Sequence, residues 1–141
     1  MKSIIDRQGY MTRHKSAHRK GYLVAIPIPS LDRDGQRVKK ANFEKWVRRV
    51  QKELTECFGG ATRMAAPGAN LGEGDLLYER DQVLVVSACD NRRAFLKRRS
   101  RIATLVRGMG EDLDQESVFV LACPSDSFLI EIRQSIEGSK G

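Results

Sequence analysis

The chain has 141 residues, 40% hydrophobic and 30% charged, with a formal net charge of +7. That length and balance fit one globular domain with its own core, and they exclude a mini-protein held together by disulfides. No apolar run approaches the roughly 20 residues of a membrane span, and the N-terminus lacks the apolar stretch of a secretory signal. A cytoplasmic protein with no membrane partner is expected.

The charge is uneven. Residues 1–20 carry six Lys/Arg against one acid, and residues 90–109 carry seven against one. The rest of the chain is mildly acidic. A localised positive field of this kind attracts polyanions or acidic partners. The three cysteines, Cys57, Cys89 and Cys123, are odd in number and lack CxxC spacing, which argues against a disulfide framework and a zinc site. No metal or cofactor is expected.

Residues 1–20 are polar, basic and aperiodic, and read as a flexible arm. Tyr22–Ile28 reads as a strand apolar on both faces, its pairing limited by Pro27 and Pro29. A polar loop follows, turning at Asp34-Gly35. Its DRDG string lacks the further oxygen ligands of a calcium loop. Asn42–Phe58 has the spacing of a helix, with Asn42 as N-cap and Phe43, Trp46, Val47, Val50, Leu54 and Phe58 inward. Glu44–Arg48 and Arg49–Glu53 are spaced as local ion pairs, and Gly59-Gly60 ends the helix.

Ala61–Ala66 is expected as a short strand and Pro67–Gly74 as a connecting loop without a phosphate-cradling pattern. Asp75–Ala88 holds the next strand. Asn91–Met109 is the second helix, with Phe95, Ile102, Val106 and Met109 on one face. Ser117–Cys123 is a further strand, and Phe128–Arg133 a short extra one. The tail, 136–141, is expected to fray.

The order β-α-β-β-α-β is that of the ferredoxin-like split β-α-β fold, an α+β domain over residues 21–135. Right-handed crossovers place both helices on one face of a four-stranded antiparallel sheet, in spatial order 4-1-3-2. Strands that are apolar on both faces then leave an exposed patch. A second copy packed sheet to sheet, or a protein partner, is expected to cover it.

The strings FEKWV, FGGAT, YERDQVLVVSA and LDQESVFVLA resemble a bacterial ferredoxin-like domain family of unknown function. Its small, often exported members carry R-E-R/S-x-V-x-V and Q-E-S-V-L strands. The matching positions are Thr62, Gly72, Glu79, Val83, Gln115, Glu116, Ser117 and Val118. The chain departs from that pattern at Leu71, where an aromatic is common, and in its basic arm. The resemblance implies the fold and no activity.

Two functional readings follow. The first is an oligomerising binding module that holds an acidic protein or, without sequence specificity, a nucleic-acid backbone. Its cations are Arg93, Lys97 and Arg101 on the helix and Arg13, Lys15, Arg19 and Lys20 in the arm. Arg99, nearer the apolar stripe, is expected to form a structural salt bridge. The second is a small dimeric enzyme or small-ligand protein built on Glu79 and Glu116, with Gln115 beside them. Both carboxylates begin strands and should lie toward one end of the sheet. The only histidines, His14 and His18, fall in the arm.

Overall fold

The computed structural model describes residues 17–66, 68–71, 77–80, 82–129 and 132. Their elements run β1 (Ala17–Pro29), α1 (Lys40–Phe58), β2 (Thr62–Ala65), β3 (Gly68–Leu71), β4 (Leu77–Arg80), β5 (Gln82–Cys89), α2 (Arg92–Asp112) and β6 (Leu121–Leu129). β2, β5, β1 and β6 form an antiparallel sheet in that order, while β3 and β4 pair with each other. This is the expected α+β fold, with the expected order of the four main strands.

β1 organises the sheet. Its even residues, Tyr22, Val24, Ile26 and Ile28, are buried in one core with Trp46, Val47, Val50 and Leu54 of α1 and Ile102, Leu105, Val106 and Met109 of α2. Backbone hydrogen bonding has the same period of two. The Ala66 N–H donates to the Gln82 carbonyl, so even residues of β5 point their backbone toward β2 and odd ones toward β1. Ile26 faces Val85 and Ile28 faces Val83, so the even residues of β1 bond to β5 and the odd ones to β6. Pro27 and Pro29 therefore remove donors from the β6 side alone. The β1–β6 ladder ends at Ala25 opposite Leu121, whereas the β1–β5 ladder runs on to Pro29 opposite Gln82.

Several boundaries differ from the sequence reading. β1 begins at Ala17, and Ala17–Lys20 pair with Leu129–Asp126, so the last four residues of the expected arm are strand. α1 begins at Lys40, preceded by Lys39 with no side-chain cap, and Asn42 lies within it. β6 starts at Leu121 rather than Ser117 and runs through Pro124, opposite Tyr22, to Leu129. It thus absorbs the start of the expected extra strand. Gly68–Leu71, expected in a loop, is strand β3. Thr62 faces Val86 and Gly68 faces Arg80, so the β3–β4 pair repeats the register of β2–β5 while forming a separate two-stranded sheet. The expected frayed tail lies outside the described residues.

α1 and α2 are clasped at two places. The Trp46 indole N–H donates to the Asp112 carboxylate at 2.6 Å, and Lys45 Nζ reaches the same oxygen at 3.1 Å. Farther along, Arg101 bridges Glu53 and Glu56. Trp46 is 3% exposed, so Asp112 satisfies a donor that burial would otherwise leave costly. The indole and then Lys45 hold the Asp112 carboxyl below its ordinary value. A folded-state pKa below the unfolded value of about 3.9 stabilises the fold above that pH, and the stabilisation fades as pH falls through the lowered value. Asp112→Asn should therefore lower the thermal midpoint at neutral pH. The gap from the unchanged chain should close below about pH 4, read by circular-dichroism melts across a pH series.

Candidate functional site

α2 starts with a sound cap: the Asn91 side chain accepts from the Ala94 N–H at 2.8 Å. Its charges run against its dipole. Arg92 and Arg93 occupy the first turn, where the partial charge is positive, and Glu111 and Asp112 the last, where it is negative. None of residues 92–101 is fully buried, and the buried stripe begins at Ile102. Within that stretch Phe95 is half-buried, with its ring centroid 5.4 Å from that of Tyr22. Arg92, Arg93, Lys97, Arg98 and Arg99 surround this half of the helix, all exposed. Among the described residues none of the five forms an ion pair. The salt bridge expected at Arg99 is absent there.

Arg101 has a different role from the one its sequence position suggests. Its Nε donates to Glu53 at 2.8 Å and a terminal nitrogen donates to Glu56 at 2.6 Å. These bonds, Glu53 first, raise the guanidinium pKa further. Arg101 is therefore a helix–helix tie rather than a free cation. The groove of about 750 Å³ between the helices is rimmed by the same tied groups, including Trp46, Glu53 and Asp112.

The turn after α2 is built around Gln115. Its side-chain amide donates to the carbonyls of Leu31 at 2.7 Å and Leu113 at 2.9 Å. Asp114 adopts a left-handed φ of 50°, and its carboxylate pairs with Arg33 at 2.8 Å. Gly110 admits Val118 close to α2, since a Cβ there would lie 3.2 Å from the Val118 side chain. Gln115 is thus committed to structure. Glu116, next to it, is exposed and makes no hydrogen bond or ion pair among the described residues. It borders a groove of about 410 Å³ together with Arg107, Glu111, Ser117, Val118 and Val120.

Of the other expected site residues, Lys20 is exposed in β1 opposite Asp126. Arg19 is in β1 and Glu79 in β4, opposite Ser127 and Ala69, each placed by its backbone alone. Glu79 lies in the separate β3–β4 pair and Glu116 in the turn between α2 and β6. Arg13, Lys15 and His14 lie outside the described residues. No group of three or more His, Cys, Asp or Glu among the described residues could hold a metal ion. Cys57, Cys89 and Cys123 are free thiols. Burial, and then Asp90, push the Cys89 thiol up, the environment of an unreactive cysteine.

Sequence reasoning missed the Trp46–Asp112 bond and the Arg101 bridge. Periodicity shows which face of a helix is apolar, but not which neighbour lies along each flank.

No family model matches the chain, and no curated protein does. Among solved structures, the chain is similar to a phage SAM lyase in complex with S-methyl-5'-thioadenosine. The identity is 15%, with a TM-score of 0.51, over 79% of this chain and 90% of that one. A phage SAM lyase in the apo state aligns at 15% identity and a TM-score of 0.49, over 82% of this chain and 94% of that one. At this identity the likeness is one of fold.

Proposed function

We propose that the chain is an oligomerising binding module that holds an anionic partner, a nucleic-acid backbone or an acidic protein, on the N-terminal half of α2. The observation that carries this reading is the set of five exposed cations there without acidic partners among the described residues, placed against the helix dipole. Such an arrangement costs folding energy and is relieved by an outside anion. Arg93 and Lys97 remain its central residues; Arg101 does not. The chain should retard duplex DNA and single-stranded RNA at low salt, with affinity falling steeply as salt rises. Changing both Arg93 and Lys97 to Glu should weaken binding by about tenfold or more and reduce the salt slope by about two. If neither nucleic acid binds at low salt, the nucleic-acid form of the reading is wrong.

Self-association belongs to the same proposal. On the sheet face away from the helices, Met64 is 48% and Leu121 42% exposed, while Leu23, Leu84 and Val86 are half-buried; Phe119, two residues before β6, is 68% exposed. The face is less bare than its sequence suggests, because Ala25 and Pro29 on it are buried. The chain is expected to sediment as a dimer at micromolar concentration. Phe119→Ser with Leu121→Glu should give a monomer with unchanged helix content. A wild-type monomer at that concentration would refute dimerisation.

A second reading, a small-ligand protein or enzyme, is favoured by Glu116. The fixed turn presents this exposed carboxylate beside Arg107 and Ser117. A fold neighbour was solved with S-methyl-5'-thioadenosine, and this makes that nucleoside the first probe. Under this reading it binds the chain in calorimetry and Glu116→Gln weakens it at least about tenfold, a loss of roughly 1.4 kcal/mol. No heat at millimolar nucleoside would remove the reading.

A further inference from the structure

Among the described residues β2 is an edge strand, and its outer side is open. Ala66 and the even residues of β2 direct their backbone toward β5. The N–H and C=O groups of Arg63 and Ala65 therefore point away from the sheet. Neither residue has another hydrogen bond among the described residues, and all four residues of β2 are exposed. An unpaired edge of this kind is a template for a further strand.

Beside that edge runs a groove between β2 and α1. It has two connected lobes, of about 460 Å³ and 630 Å³. Phe43, Ala65 and Val83 are shared by both lobes, with Val47 in one and Val38 in the other. Cations stand at its two ends: Arg48 and Arg63 at one, Arg37 and Lys40 at the other. Glu44, midway, is the one carboxylate on this rim among the described residues, and it reaches Lys40 at 4.0 Å.

The spacing selects the occupant. Lys40 and Arg48 are eight residues apart on α1, which is about 12 Å along a helix axis. Two same-face side chains four residues apart on an extended strand are about 13 Å apart. An acidic residue at each of those positions would meet a cationic end, with the residue between them over Phe43 and Val83. We propose that this groove takes an extended peptide segment of a partner protein, added as a strand to β2. Its recognition pattern is a central apolar residue with an acidic residue two positions to either side. This surface is separate from the α2 cations.

The probe is a fluorescein-labelled threonine-rich peptide with a central valine and a glutamate two residues to either side. A matching peptide with lysine in place of glutamate is the control. Binding to the full chain is read by anisotropy, and strand addition by amide hydrogen exchange at Arg63 and Ala65. The acidic peptide should bind and slow exchange at both amides, while the lysine peptide should bind at least about tenfold more weakly. Ala65→Pro removes one outward donor and leaves the β5 ladder intact, so it should abolish the protection. If that variant fails to fold, Arg48→Glu tests the charge at one end and should cost at least about tenfold in affinity. Arg93→Glu should leave the peptide affinity unchanged, which separates this surface from the α2 reading. Equal binding of both peptides, or binding without protection at Arg63 and Ala65, would overturn the proposal.

Discussion

The parity of β1 is the constraint on which the rest of the structure depends. In a strand, side chains and backbone donors alternate together. Tyr22, Val24, Ile26 and Ile28 thus face the helices and bond to β5 at the same time. Burying four such side chains is worth about 6–12 kcal/mol at 1.5–3 kcal/mol each. A slip of one residue would turn all four to the other face and bring Pro27 and Pro29 into the ladder with β5, where the missing donors would break it. The two prolines are tolerated because they fall on the odd positions. Both helices then have one face on which to pack.

That parity also shapes the Glu116 turn. With no donors at Pro27 and Pro29 on its side, β6 pairs with β1 only from Leu121 onward. The segment before Leu121 is held instead from α2 and the loop after β1, through Gly110 against Val118, Gln115 to Leu31, and Asp114 to Arg33. Phe119, released from the ladder, stands 68% exposed. A carboxylate on a turn fixed at three points is pre-organised, and its orientation follows from two residues on a strand about ninety positions away in sequence.

The order of elements was legible because it rests on periodicity, which the core enforces: period two in β1 and β5, and helical spacing in α1 and α2. Features set by contacts across the fold were not. Glu44–Arg48 and Arg49–Glu53 have good local spacing, yet Glu44 reaches Lys40, Arg49 lies 4.8 Å from the Trp46 ring centroid, and Glu53 bonds Arg101. Exposed local pairs are worth only a few tenths of a kcal/mol, so other neighbours compete for each partner, Lys40 and Trp46 on α1 itself and Arg101 on the adjoining helix. The sequence places Arg101 among the free cations of α2 because a helical wheel carries no knowledge that α1 lies along that flank. Pro124 and Gly68 disguise strands as turns. Among the described residues β6 is an edge strand, which admits a proline, and β3 pairs with β4 alone.

The two ends of α2 now differ in what explains them. At the C-terminal end, Asp112 opposes the dipole but is held by the Trp46 indole and Lys45, so a structural role accounts for it. At the N-terminal end, Arg92 and Arg93 each stand against the dipole at about 0.3–1 kcal/mol. Lys97, Arg98 and Arg99 add repulsion in the next turn, with no acid facing them among the described residues. Solubility alone would be served by cations anywhere on the surface, including the C-terminal turn, where the dipole would favour them. Their concentration at the unfavourable end, on the half of the helix without a buried stripe, is the observation on which the proposed anion site rests.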